Sequence, residues 1–318
     1  MSIQIRPYRM DDVSAVVDLW NECLVHDPIT REIFEDKVLL DPNFDLEGVR
    51  VAEDAGRLVG FVHAVVRTTP HPRGFEQLLE QDRDKGWIVS LFVHPDCRRQ
   101  GIGSRLLLGG LGFLRARGRK KAVLFSYTPN YLLVGVDVAG YPGALEFYKR
   151  HGFAAGGESV GMGVELQGFR VPSSVRELEE RLAQEGIRAR YFDRRYIVPT
   201  VSFFLKHFPA WLHYFLDKLD RRHDPDEMVI VLRGDDEVVG YCQHRYYHHV
   251  ERTGPFGVSA ELRGRKVGTV MLYKLLERMA QKGYKYGWFT STDPGTANYY
   301  AKAGYRVIRK HVAMSRDL

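Results

Sequence analysis

Val93-His94-Pro95-Asp96-Cys97-Arg98-Arg99-Gln100-Gly101-Ile102-Gly103-Ser104 is the stretch on which the reading of this chain turns. Before it, Trp87 to Phe92 is a run of apolar and small residues of strand length, bounded upstream by the polar Gln81 to Gly86. After it, Ile102 to Arg117 sets Leu106, Leu107, Leu108, Leu111 and Leu114 at helical spacing with no proline. The order is strand, glycine-containing turn, helix. Such a turn aims several N–H groups of a helix N-terminus at one spot, where the helix dipole also favours negative charge. Gly101 and Gly103 let an anion approach the main chain, and Arg98 and Arg99 add cationic forks beside it. The stretch suits a phosphate or pyrophosphate, although any α/β turn can carry two glycines.

Two familiar phosphate binders do not fit. A dinucleotide fingerprint needs a third small residue where Leu106 stands, and a P-loop needs Gly-Lys-Ser/Thr where Gly103-Ser104-Arg105 stands. The stretch instead resembles the acyl-CoA signature of the GNAT superfamily of N-acetyltransferases. That signature is a strand ending Val-x-Pro, then Arg or Gln, two residues, Gly, one residue, and Gly or Ala; here it reads Val93-His94-Pro95, Arg98, Gly101 and Gly103. The resemblance implies that Leu91, Phe92 and Val93, with Arg98, Arg99, Gln100, Gly101, Ile102, Gly103 and Ser104, bind acetyl-CoA. Ser104 either helps receive the phosphates or only starts the helix.

Composition bounds the rest. A chain of 318 residues suggests roughly two domains, and 44% hydrophobic with 27% charged residues is the balance of a soluble globular protein. No apolar run approaches the roughly 20 residues needed to span a bilayer, and no signal-peptide pattern opens the sequence. Cys23, Cys97 and Cys242 are too few and too scattered for a disulfide framework or a zinc cluster. A cytoplasmic location is expected, with no metal and no membrane partner. The net charge of +6 suits an anionic partner, CoA or nucleic acid, without choosing between them.

The remaining elements fit the same resemblance. Ile3 to Pro7 reads as a strand, and Asp11 to Cys23 as a helix with Val13, Val16, Val17, Leu19 and Trp20 inward. Residues 26–47 read as a short helix plus loops. Val49–Glu53 and Leu58–Arg67 form a hairpin around Asp54–Arg57, Pro70–Gly86 is loop or short helix, and Ala122–Ser126 is a further strand. Gly143–His151 is a short helix, followed by a closing pair of strands ending near Leu166. Within it, Phe147-Tyr148-Lys149-Arg150-His151-Gly152-Phe153 resembles the superfamily's second signature, apolar-Tyr, three residues, Gly-Phe. The resemblance implies that Tyr148 lies near the CoA thiol and protonates the leaving thiolate; the alternative is an aromatic that packs helix on sheet.

The second half repeats the first. Val258 to Gly268 aligns with Val93 to Gly103, and Pro294 to Tyr305 with Pro142 to Phe153. Met228–Leu232 and Val238–Tyr246 form a second hairpin, Thr269–Lys282 a helix and Tyr286–Ser291 a strand. A repeat at two separate motifs points to tandem domains. Lys266 replaces the first glycine of the turn and crowds the approach of a pyrophosphate, so the chemistry is expected in the first half, with two active sites as the rival. Between the halves, Ser173 or Ser174 is expected to cap a helix to about Glu185. The aromatic run from Val198 to Leu219 should break at Pro209 and pack as core.

The expected fold is α/β with a mixed sheet: two tandem GNAT-like acyltransferase domains, 1–167 binding acetyl-CoA and catalytic, 168–318 degenerate, each a mixed central sheet flanked by helices. Two such domains in one chain also resemble mycothiol synthases, by architecture alone, and no substrate is carried over. The expected reaction is direct acetyl transfer to a primary amine of a small molecule or peptide. A backbone N–H around Leu91 to Val93 would stabilise the oxyanion. Trp87 to Val93 holds no Asp or Glu, so the base is water or Asp137; Tyr131, Asp137 and Tyr141 either line the acceptor pocket or belong to a surface loop. Nucleic-acid binding is disfavoured, because the basic Arg115–Lys121 matches ordinary helix-end charge and lacks stacking aromatics. An acyl-CoA sensor without turnover is the other alternative; acceptor and oligomeric state are left open.

Overall fold

β1 (Gln4–Pro7) and α1 (Val13–Cys23) open the chain, and Val13, Val16, Val17, Leu19 and Trp20 are buried as their spacing predicts. The structure is a computed structural model, and it describes residues 3–70, 76–128 and 130–318. α2 (Arg31–Phe34) is capped by Thr30, whose hydroxyl accepts from the Ile33 N–H, and widens into a π turn over Glu35–Leu39. β2 (Val49–Asp54) and β3 (Arg57–Val66) form the first hairpin. Ala55 (φ +48°) and Gly56 (φ +86°) supply the two left-handed residues that a two-residue hairpin loop requires. After α3 (Glu76–Gln81) come β4 (Lys85–Val93), α4 (Ile102–Ala116), β5 (Lys121–Leu124), β6 (Val136–Asp137), α5 (Ala144–Arg150) and β7 (Ala154–Glu165). Residues 71–75 of the expected 70–86 loop lie outside the described residues.

α4 is the helix after the glycine turn. Ile102, Leu106, Leu107, Leu111 and Leu114 are at most 1% exposed, whereas Leu108 is 55% exposed. At 100° per residue Leu108 falls on the outer face, so the expected inward stripe narrows by one residue.

The second half runs α6 (Ser173–Gln184), β8 (Ile187–Tyr191), α7 (Ile197–His207), α8 (Leu212–Asp220), β9 (Met228–Arg233), β10 (Glu237–Tyr246), β11 (His249–Val258), α9 (Val267–Gln281), β12 (Tyr286–Thr292), α10 (Pro294–Ala301) and β13 (Arg306–Asp317). The cap expected from Ser173 or Ser174 is absent: Pro172 holds the N-cap position and Ser173 begins the helix. Pro209 divides the aromatic run into α7 and α8. Phe203, Phe204 and Phe215 are buried there with Phe192 and Tyr241, a core rather than a ligand box.

Two compact units result, residues up to Ser159 together with Arg309–Leu318, and Val160–Ile308. In the first, the strand order is β1-β2-β3-β4-β5-β13, with β6 also on β13. In the second it is β7-β12-β11-β10-β9-β8. Each sheet is mixed: β4–β5 and β11–β12 are parallel, while β13–β5 and β12–β7 are antiparallel. The expected closing pair of strands near Leu166 is a single strand, β7, whose second half pairs with β12 through Tyr286↔Glu165 and Trp288↔Gly163. The strand beside β5 comes from the far end of the sequence, with Ser315↔Val123 and Asp317↔Lys121. Each unit is thus closed by a strand that a cut at 167/168 would assign to the other. Among the described residues no helix is long and apolar enough to cross a membrane.

Candidate functional site

β4 carries the site. It pairs with β3 from Gly60↔Val93 to Val66↔Gly86, with a register shift between His63 and Ala64 that leaves Val89 in a bulge. Its parallel pairing with β5 stops at Ile88↔Leu124. There the Phe125 N–H donates to the Ile88 carbonyl at 2.9 Å, and Phe125 (φ +60°) and Ser126 (φ +49°) turn the chain out of the strand. The His94 N–H donates to the Val59 carbonyl on the β3 side at 2.9 Å. By strand alternation, Val93 and Leu91 present their main-chain groups to the opposite edge, which β5 no longer covers. The sheet therefore opens at the end of β4, where the glycine turn begins.

The turn itself is a chain of fixed conformations. Pro95–Cys97 makes a short 3-10 turn capped by His94. Arg98 is extended and its Nε donates to the Val93 carbonyl at 3.0 Å, which locks the end of the strand to the turn. Arg99 (φ +63°) and Gly101 (φ +79°) are left-handed, and Gly101 is the N-cap of α4. A Cβ at Gly101 would meet nothing within 4 Å, so backbone conformation, not crowding, calls for glycine there. Gly103 differs: a Cβ there would sit 3.4 Å from the Phe147 ring, so its smallness lets α5 approach the start of α4. The first helical bond is from the Arg105 N–H to the Gly101 carbonyl at 3.1 Å. Among the described residues, the N–H groups from Gln100 to Ser104 have no acceptor. Arg99, Gln100 and Gly101 are exposed, Ser104 is half-buried and Ile102 is buried beneath them. The result is a cluster of open donors at the exposed start of α4, next to Arg98 and Arg99 in the chain.

α5 brings the second signature to the same place. Tyr148 is 3% exposed, with its ring 6.0 Å from Phe125, 5.1 Å from Phe147 and 5.6 Å from Phe153. Its hydroxyl bonds to no group among the described residues, and burial pushes its pKa well above that of a free phenol. His151, which sequence reasoning passed over, ties α5 to α4: its Nδ1 lies 2.7 Å from the Phe147 carbonyl and its Nε2 3.0 Å from Ser104 Oγ.

Asp137 lies elsewhere, in an ion network. Its Oδ1 accepts from the N–H groups of Ala139 (3.1 Å) and Gly140 (2.9 Å), and its Oδ2 from Arg309 Nε at 2.8 Å. Burial pushes its carboxyl up, but the Gly140 N–H and the Arg309 charge outweigh that and hold it below the usual carboxylate range. Arg309 also grips Asp27 with two bonds of 2.6 and 2.9 Å, and the Tyr141 hydroxyl donates to Asp27 at 2.7 Å. Asp137 and Tyr141 therefore meet around one arginine; Tyr131 takes no part. Arg309 arrives on β13, 172 residues from Asp137, and no local pattern announces it.

The repeat in the second unit keeps the shape of the turn. Arg263 is extended, Gly264 (φ +81°) and Lys266 (φ +60°) are left-handed, and Lys266 is the N-cap of α9 as Gly101 is of α4. Gly268 faces α10, where a Cβ would sit 3.2 Å from the Tyr299 hydroxyl. Among the described residues no three His, Cys, Asp or Glu are placed to hold a metal ion.

Comparison with known proteins agrees with this geometry. An acetyltransferase (GNAT) domain model matches residues 45–155, and an acetyltransferase (GNAT) family model matches 188–305. An acetyltransferase of Photorhabdus laumondii is 32% identical over 124 residues, covering 38% of this chain and 73% of that protein. The mycothiol acetyltransferase of Propionibacterium freudenreichii is 28% identical over 164 residues, 50% of this chain and 45% of that one. An uncharacterised N-acetyltransferase of Methanocaldococcus jannaschii is 33% identical over 109 residues, and the match spans 40% of its length. Among solved structures, a tandem GNAT protein from the clavulanic acid biosynthesis pathway matches with TM-score 0.68 at 14% identity, covering 99% of this chain and 98% of that one. The GCN5-related glucosamine N-acetyltransferase region of a fungal β-N-acetylglucosaminidase matches with TM-score 0.77 at 19% identity, covering 99% of this chain and 38% of that one. With a match in each half and a tandem fold along its length, the chain belongs to the GNAT family of acetyltransferases and carries two of its domains.

Proposed function

We propose that the first unit transfers an acetyl group from acetyl-CoA to a primary amine of a small molecule or peptide. The observation that carries this reading is the run of N–H groups from Gln100 to Ser104, unbonded among the described residues, beside the open edge of β4. A pyrophosphate needs several convergent donors and a positive end of a helix, and the turn offers both together with Arg98 and Arg99. The main-chain groups of Leu91 and the N–H of Val93 on the uncovered edge suit an extended pantetheine arm, and an N–H there suits the developing oxyanion. In the reaction the amine nitrogen bonds to the thioester carbonyl carbon and the carbon–sulfur bond breaks. Tyr148 gives its hydroxyl proton to the leaving sulfur, while the amine's proton passes to water. Burial keeps the phenol protonated, and among the described residues its hydroxyl is bonded to no other group, so the proton is there to give. Asp137 is not the base in this reading, because Arg309 and two backbone N–H groups occupy its oxygens.

Titration calorimetry of acetyl-CoA, followed by thiol-release assays over a panel of amines, tests the proposal. One site per chain that is lost in Gly101→Glu and kept in Lys266→Glu is expected; no binding to wild type would overturn it. A second reading, in which both turns bind CoA, is favoured by the left-handed conformation that Lys266 shares with Gly101. Two sites per chain in the same titration would establish it.

A further inference from the structure

His151 is outside the residues assigned above to donor binding, yet it decides what Ser104 can offer a phosphate. Its Nδ1 lies 2.7 Å from the Phe147 carbonyl, and a carbonyl only accepts, so Nδ1 carries a proton. In the neutral imidazole Nε2 is then a bare acceptor, 3.0 Å from Ser104 Oγ, and the serine hydroxyl must donate to it. The hydroxyl proton is therefore spent on His151, and the lone pairs of Oγ are left for the turn. Ser104 is the third residue of α4, one of the positions whose N–H groups are open. Beside those donors, a hydroxyl presenting lone pairs opposes an anion. Protonation of His151 reverses the bond: Nε2–H donates to Oγ, and the hydroxyl proton is released to point at a phosphate oxygen.

We propose that His151 is a positioning residue that sets the direction of the Ser104 hydroxyl, so that binding of the CoA pyrophosphate at this turn takes up one proton on the imidazole. The inference rests on the reading of residues 98–104 as the CoA site. The surroundings favour coupling of this sign. Its charged neighbours are Lys149, which is paired with Glu146, and Arg150 along the chain, and Arg316 of β13, whose guanidinium donates to the His151 carbonyl. From α4 the ring meets Ser104, and no carboxylate pairs with it among the described residues. With cations nearby and no anion of its own, the imidazolium gains its counter-charge when a phosphate arrives. Proton uptake on binding means affinity rises as pH falls.

The test is calorimetric titration of 3′-dephospho-CoA into the full chain at pH 5.5, 6.5, 7.5 and 8.5, in two buffers of different ionisation heat. The dephosphorylated probe keeps the pyrophosphate and loses the terminal phosphomonoester, which would itself titrate in this range. Wild type is expected to bind at least roughly tenfold more tightly at the lowest pH than at the highest, with net proton uptake, within the ceiling of tenfold per pH unit that one linked proton sets. His151→Gln and Ser104→Ala are each expected to bind with a flat profile, and the double variant to match Ser104→Ala. A flat wild-type profile with binding intact overturns the inference and leaves the CoA site standing. A slope that survives in Ser104→Ala also overturns it, since protonation would then act without the hydroxyl. Absence of binding at every pH removes the CoA site itself, and with it this inference. If His151 only packs on Phe147, its variant weakens binding equally at all four pH values, which again overturns the proposal.

Discussion

The two glycine turns share a backbone and differ in side chains. Residues 98–104 and 263–269 both run from an extended arginine, through left-handed residues, into a helix of 15 residues. At the N-cap the first has glycine, where φ is +79°; the second has lysine at φ +60°, a conformation that costs a non-glycine residue about 1–2 kcal/mol. The first turn carries its own non-glycine left-handed residue, Arg99 at φ +63°, where the second has Gly264, so the backbone cost is about the same in both and it is the surface presented that differs. The signature helices differ too. Where the first unit sets Phe147 and His151 against α4, the second sets Tyr299, whose buried hydroxyl lies next to Gly268. Backbone conformation alone therefore does not distinguish the two turns; their side chains do.

The sharpest way to break the comparison is charge reversal. Gly101→Glu adds a carboxylate to the donor cluster, and like charges brought together cost several kcal/mol, so CoA affinity should fall by roughly 100-fold or more in a calorimetric titration. Lys266→Glu should leave it unchanged; equal losses would erase the asymmetry. Next in size is the acid. Tyr148→Phe should reduce kcat by about 100-fold or more while leaving CoA binding intact, whereas Tyr300→Phe, its counterpart on α10, should leave kcat unaltered. Burial pushes the Tyr148 hydroxyl well above the ordinary phenol range, so it remains protonated throughout the working range. A basic limb of the pH–rate profile that falls below about pH 10 would assign the acid to another group.

A third difference lies in the closing strands. Arg309 on β13 holds Asp27 and Asp137 in the first unit, while the strand closing the second places Met162 and Val164 in a hydrophobic core. Arg309→Ala leaves a buried carboxylate uncompensated. Because Arg309 is itself about a quarter exposed, the loss should be about 2–3 kcal/mol, read as a lower Tm. The sign with pH follows from Asp137, whose folded carboxyl titrates below its unfolded value. Its stabilisation is complete above the unfolded value near pH 4 and is lost as pH falls through the folded one, so wild type and variant should converge in acid. The smallest effect is Lys266→Gly: relief of the left-handed strain is offset by a more flexible unfolded chain, and stability should change by less than about 1 kcal/mol. If that substitution creates a second CoA site, the side chain alone had disabled the turn.

Local patterns were legible and distant partners were not. The strand before Val93, the helix after Gly101, both hairpins and the repeat follow from periodicity and turn residues within short windows. Leu108 was misplaced because five leucines close together exceed what one helix face can bury. The closing strands were invisible for another reason: the β13 sequence Arg306–Asp317 carries no mark saying which sheet it joins. Asp137 drew attention as an acid in a long connection, but its role depends on Arg309, which pattern reading cannot reach. His151 stood inside a quoted motif and still escaped, since only its spacing from Ser104 across two helices gives it meaning.

The position of β13 also sets a timetable. Val123 waits for Ser315, 192 residues later (315 − 123), before β5 gains its second neighbour. At about 5–20 residues per second of synthesis, the first unit stays unfinished for roughly 10–40 s after β5 has been made. Closing a loop of that length costs about 2–3 kcal/mol more than closing one of ten residues. The donor turn near the middle of the first unit is therefore translated early and completed late. During that interval, β5 is an exposed strand edge within reach of chaperones and of other nascent chains.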